Sequence, residues 1–125
     1  MINSSQKGKR GEREVVSIIN KYLGTKFRRT PNSGGLSFKG DIIDIDNTNP
    51  LYDFHIEIKN TNTLQIPKWM DQIEKDQPLG KTGLLIAKFK GKWFTWFSLQ
   101  DFLYLVSEIM RLDKENAELK KAADN

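Results

Sequence analysis

Between residues 11 and 23 the apolar side chains fall at Val15, Val16, Ile19, Tyr22 and Leu23. That is the i, i+3, i+4 spacing of one helical face, and it predicts a helix. The period then changes. Residues 40–46 (GDIIDID) and 54–59 (FHIEIK) alternate as strands do, and the turn-rich stretch 47–53 between them predicts a hairpin. Pro67, at a first helical position among Ile66, Trp69, Met70 and Ile73, opens an amphipathic helix that ends before residues 77–80 (QPLG). Residues 83–89 (GLLIAKF) form a nearly continuous apolar run, as a central buried strand does. Residues 92–97 (KWFTWF) form a short aromatic strand after the Lys90-Gly91 turn. Ser98 with Asp101 marks a helix N-cap. The order is α-β-β-β-α-β-β-α, an α/β fold with a small mixed sheet flanked by helices and a long C-terminal helix.

That last helix carries a second pattern. Phe102, Ile109 and Asn116 are seven apart, and Leu105, Leu112 and Leu119 follow each by three. This is an a/d heptad with one asparagine at an a position, which favours paired helices in fixed register. The repeat runs under three heptads, so packing of its first half on the sheet would explain that half equally well. From Asp113 on, the composition is charged and alanine-rich. The expected division is a core over 1–100 and a C-terminal helix over 101–125, available for dimerisation.

With 125 residues, 38% hydrophobic and 29% charged, the chain has room for one ordinary core. No apolar run approaches the roughly 20 residues of a membrane helix, and the start MINSSQKGKRGERE lacks the apolar centre of a secretory signal. A cytoplasmic location, nucleoid or host-cell, is expected. There is no cysteine and a single histidine, His55, so any metal must be held by oxygen. The net charge is +4, and its placement matters more than its size. Lys7, Lys9, Arg10 and Arg13 open the chain, Arg28 and Arg29 precede the Asn32-Ser33-Gly34-Gly35 loop, and Lys39 precedes Asp41. Such a basic rim suits a phosphodiester approaching acidic groups and gives salt-dependent affinity for DNA, although a solubilising surface has the same composition. Lys88, Lys90 and Lys92 flank a strand end and read as no more than that.

The candidate chemistry lies at Asp41 and at Glu57-Ile58-Lys59. On a strand, Glu57 and Lys59 share a face. A hard divalent cation such as Mg²⁺ takes carboxylate oxygens, and a neighbouring lysine can polarise water or neutralise a phosphate. Asp41 would supply a second ligand across the predicted hairpin. Extending the first helix's apolar face back one turn reaches Glu12, a carboxylate where burial is costly unless a cation or partner meets it. A wet strand face and a first-turn glutamate favoured by the helix dipole would leave the same residues. Glu14 is expected to be solvated on the far side of that helix. Trp69, Trp93 and Trp96 fit the core better than base stacking. Gln65 and Gln72 fit an exposed helix surface, and His55 a partly exposed strand position.

Taken together, Lys7, Gly8 and Glu12, the run Arg29-Thr30-Pro31-Asn32-Ser33-Gly34-Gly35, the Gly40-Asp41 strand and the Glu57-Ile58-Lys59 strand resemble the archaeal-type Holliday-junction resolvases within the PD-(D/E)XK nuclease superfamily. The resemblance spans most of residues 6–97. It implies a restriction-endonuclease-like core, with Glu12, Asp41 and Glu57 as catalytic metal ligands and Lys59 as the catalytic lysine. Arg29, Ser33 and the Gly34-Gly35 backbone would lie at the phosphate, with Lys7, Lys9, Arg10 and Lys39 in the DNA-binding rim. Gly40 stands where the family has proline, which is expected to loosen that turn. The function implied is a Mg²⁺-dependent endonuclease, with Mn²⁺ as a substitute, acting as a homodimer on branched four-way DNA junctions. The rival readings are a restriction-like or nicking nuclease of the same fold, and a DNA-binding module without catalysis.

Overall fold

The structure is a computed structural model describing residues 4–30, 40–44 and 50–124. Helix α1 (Ser4–Leu23) is followed by strands β1 (Phe27–Arg29) and β2 (Ile42–Asp44), a single 3₁₀ turn (Pro50–Asp53) and strand β3 (Phe54–Lys59). Helix α2 (Ile66–Asp76), strands β4 (Thr82–Phe89) and β5 (Lys92–Trp96) and helix α3 (Leu99–Asp124) complete the chain. The element order is the expected one, and α1 starts earlier than its apolar stripe, taking in the basic residues that open the chain.

The β3–α2–β4 unit is a parallel crossover in which Glu57 lies opposite Leu85 and Lys59 opposite Ala87. Strand β5 then pairs antiparallel with β4, which makes β4 the centre of a three-stranded sheet. Its continuous apolar run follows from that place, since residues 83–87 are all buried between the two faces. Alternation divides the core. Ile56, Ile58, Leu84 and Ile86 pack with Val15, Phe27 and Ile42 on the α1 side. Leu85 and Ala87 pack with Trp69 and Ile73 on the α2 side. Each of the large side chains so buried contributes roughly 1.5–3 kcal/mol relative to exposure. By the same alternation His55, Glu57 and Lys59 lie on the α2-side face of β3.

The predicted hairpin between 40–46 and 54–59 does not form. Strand β2 pairs instead with β1, with Phe27 opposite Asp44 and Arg29 opposite Ile42. One edge of β3 belongs to β4, and along the other the chain touches β3 at Asp41 before turning away. The Asp41 N–H donates to the Ile56 carbonyl (2.8 Å), and the Thr30 N–H to the Asp41 carbonyl (2.9 Å). Strand β1 is held ready by α1: the Asn20 amide donates to the Phe27 carbonyl (3.0 Å) and accepts from the Phe27 N–H (2.8 Å). The helical stripe is only partly used. Val15 is buried, with Val16 and Ile19 packed against the same core, whereas Tyr22 is 86% exposed because the three-residue strands leave the last turn of α1 uncovered.

Helix α3 starts at the expected cap, where the Asp101 N–H donates to Ser98 Oγ (3.0 Å). None of its residues is buried. Phe97 and Phe102 rings meet at 6.0 Å, and Leu105 and Val106 are half-buried, so only the first turns lean on the core. The heptad positions Ile109, Leu112 and Leu119 remain exposed. Among the described residues no helix is long and apolar enough to cross a membrane.

Candidate active site

The site is organised by the way Asp41 docks on the free edge of β3. Its N–H reaches the Ile56 carbonyl, and its Oδ2 accepts the Ile58 N–H at 2.6 Å. One residue thereby satisfies two edge groups that would otherwise lack partners and aims a carboxylate beside Glu57. Gly40 permits this approach. It has φ +95°, and a Cβ there would lie 3.1 Å from the Ile56 carbonyl oxygen. This backbone conformation is closed to proline, whose φ is held near −65°, so glycine is what the approach of Asp41 requires here.

Burial, above all, and then the charge of Glu57 raise the Asp41 carboxyl from 3.8 to about 8. The Ile58 N–H opposes the shift, while a carboxyl–carboxylate hydrogen bond with Glu57 and the charge of Glu12 add to it. Asp41 thus holds its proton beside Glu57 at a half-buried position, the state a carboxyl reaches next to a like charge when no cation separates them. Glu57 also lies 3.2 Å (Oε1) from His55 Nε2, outside hydrogen-bonding geometry. His55 is 1% exposed, not partly exposed as expected, because its strand position faces α2 beneath the Gly40–Asp41 crossing.

Glu12 takes a different partner. Arg29 Nε donates to Glu12 Oε2 at 2.8 Å, with both side chains partly shielded. This ties α1 to β1 and leaves Glu12 paired with an arginine rather than standing as a third free carboxylate. Among the described residues no group of three or more His, Asp or Glu side chains comes together in metal-holding geometry. Asp41 and Glu57 do come together, and Lys59 lies two residues along the same face, with its Nζ 6.0 Å from the Trp69 ring centre. The pair fits a hard divalent cation on two counts, the all-oxygen donors and a carboxyl–carboxylate contact that a cation would relieve.

The basic residues separate. Lys7 Nζ donates to Asn62 Oδ1 (2.6 Å), the Asn60 amide donates to the Lys7 carbonyl (3.0 Å), and Lys7 and Arg10 line one cleft. Lys9 is exposed and is not among the residues of that cleft. Ser33, Gly34, Gly35 and Lys39 lie outside the described residues. Glu14 is not merely solvated: the Trp93 Nε1–H donates to its Oε1 at 2.9 Å, and Lys88 Nζ lies 3.4 Å away. Indole donation, followed by Lys88, holds its carboxyl below the usual range. Gln72 donates to Asp76 (2.8 Å) on an exposed surface. The Asn60–Lys7 and Glu14–Trp93 contacts span 53 and 79 residues and had no local signal by which to be found.

The chain is similar to known proteins along most of its length. Over 110 residues, 74% of this chain and 69% of the relative, the sequence is 28% identical to Protein D14 of Escherichia phage T5. No solved structure matches. The family model described as "Phage putative PDDEXK endonuclease" matches residues 3–123, nearly the whole chain. With that coverage and its mixed α/β core, the chain belongs to this PDDEXK endonuclease family.

Proposed function

We propose that the protein is a Mg²⁺-dependent endonuclease that hydrolyses DNA phosphodiester bonds, resolving branched four-way junctions as a homodimer, with Mn²⁺ as a substitute metal. The observation that carries the catalytic part is the Asp41–Glu57 contact, where two carboxyl groups are held together against a strand edge, a contact that a proton relieves in the metal-free chain and that a divalent cation would relieve in its place. Asp41 and Glu57 would hold the ion, which when bound supplies Lewis-acid charge to the phosphoryl group and to water. Lys59, on the same face, orients the attacking water and offsets charge building on the phosphate. Arg29 is held by Glu12 and offers its remaining guanidinium N–H groups to a phosphate oxygen.

Pairing follows from the substrate and from α3. A four-way junction has two-fold symmetry and needs two cuts, so a chain with one such site works as a symmetric pair. The exposed Ile109, Leu112 and Leu119, with Asn116 between them, offer the seam. Labelled four-way junction, duplex, flap and single strand, each incubated with and without Mg²⁺, test the reading. Paired, Mg²⁺-dependent cuts in the junction are expected. Preferential cutting of duplex would replace junction resolution with a restriction-like or nicking activity, and binding that ignores Mg²⁺ without cleavage would leave a DNA-binding module. Changing Leu112 and Leu119 together to Asp should give a monomer in light scattering and uncouple the two cuts.

A further inference from the structure

Beside the C-terminal end of β3, a cleft of about 850 Å³ opens between α1, the 60–64 segment and the β4–β5 turn. Its cations come from two separate elements. Lys7 and Arg10 lie one turn apart on α1, and Lys88 and Lys90 belong to the end of β4 and its turn. Glu14 is the one carboxylate among the lining residues, and Trp93 and Lys88 already engage it. The Lys88 ammonium stands 5.4 Å over the Trp93 ring, and that of Lys90 5.3 Å over Phe89. Asn60, which follows Lys59 in the chain, lines the cleft and lies against the Lys7 backbone.

The turn supplies an independent observation. Phe89 pairs with Lys92, so Lys90 and Gly91 alone connect the two strands, with φ of +51° and +77°. A two-residue hairpin with both residues left-handed is a type I′ turn, for which Asn-Gly is the favoured sequence. Lysine has no side-chain oxygen to bond locally and carries the Cβ penalty of the left-handed region, and Lys90 is the only non-glycine residue with positive φ among those described. Strain of this kind points to a use for the side chain that held it there. An ammonium at the mouth of an open basic cleft, beside amide and hydroxyl donors of residues 60–63, fits anionic oxygens spaced along a chain.

We propose that this cleft is a second phosphodiester seat, in which Lys7, Arg10, Lys88 and Lys90 hold backbone phosphates of the DNA strand beyond the one being cut. The inference takes its ligand from the DNA-endonuclease reading and is independent of the metal chemistry. The discriminating variant is Lys90→Asn, which relieves the turn. Its Tm should hold or rise while its affinity for a labelled duplex falls, measured by fluorescence anisotropy without divalent metal. The plot of log affinity against log salt should become shallower by about 0.9, the value of one lost phosphate contact, and by about twice that in Lys88→Gln/Lys90→Asn. A stable Lys90→Asn protein with unchanged affinity and salt slope would overturn the seat and leave the endonuclease reading standing. The shallower slope in a protein that never cleaves DNA would support the seat and overturn only that reading. A wild-type chain that binds no DNA would overturn both.

Discussion

Two charged regions flank β3, one at its edge and one beyond its C-terminal end, and they obey opposite rules. At the strand edge, Asp41 and Glu57 bring like charges together under cover, and the outcome is a carboxyl raised to about 8. In the cleft beside the strand's end, four cations converge in the open around one engaged carboxylate. Charge interactions scale inversely with the local dielectric, so a half-buried pair is strongly coupled while exposed cations each interact weakly. The first region is therefore expected to be intolerant, with the loss of one group felt at once by the other. The second is additive, with every lysine contributing a share of affinity that salt can erode.

The sharpest way to break this contrast is at the strand edge. Asp41→Asn or Glu57→Gln should reduce cleavage below detection while DNA binding stays intact or tightens, since repulsion of phosphates is lost. Gel assays of cleavage and binding in parallel would check this. Lys59→Ala should lower turnover by about 10²–10⁴-fold in single-turnover kinetics while metal binding persists. Near-wild-type rates in these variants would reduce the acidic pair to a wet strand face.

A smaller effect is expected where the two regions join. Gly11 faces Asn60, and a Cβ there would lie 2.7 Å from Asn60 Cβ and 3.2 Å from the Trp93 ring. Gly11→Ala gains about 0.5–1 kcal/mol of helix preference but forces an overpacking cost of about 1–3 kcal/mol. Net destabilisation should appear as a lower midpoint in urea. A more stable variant would show that the α1–Asn60 contact yields freely.

A further effect is a pH dependence. In the metal-free chain the folded state binds the Asp41 proton more tightly than the unfolded state, whose carboxyl titrates near 3.8. Stability from this group is therefore fully present below about pH 4 and declines as pH rises toward 8. Thermal melts should show that decline, Asp41→Asn should flatten it, and added Mg²⁺ should raise Tm more at pH 8 than at pH 5. Equal Mg²⁺ stabilisation at both pH values would uncouple the ion from the Asp41–Glu57 pair.

Much of the fold was legible because it is written locally. The apolar run of β4, the alternation of β3, Pro67 ahead of Trp69 and Ile73, and the Ser98 cap all act within a few residues of where they are read. The pairing of β2 was not legible. Alternation says that a strand has two faces but not which edge it meets, and here Asn20 had already secured β1 as the partner. The Glu57–Lys59 face and the nearness of Asp41 were foreseen, though Asp41 arrives by a single-residue docking and not through a hairpin. The pairing of Glu12 with Arg29, the burial of His55 and the engagement of Glu14 by Trp93 depend on contacts between residues far apart in the chain.

By itself, the sequence determined the kinds of element, their order, and that any metal would have to be held by oxygen, because residue type and local period govern these directly. Only the tertiary structure decided which carboxylates meet, which one is neutralised by an arginine, and that a lysine turn set aside as a strand end closes a basic cleft with the first helix. Those outcomes depend on burial and on distances across the fold, and the free energy of a charge is set by its surroundings more than by its place in the chain.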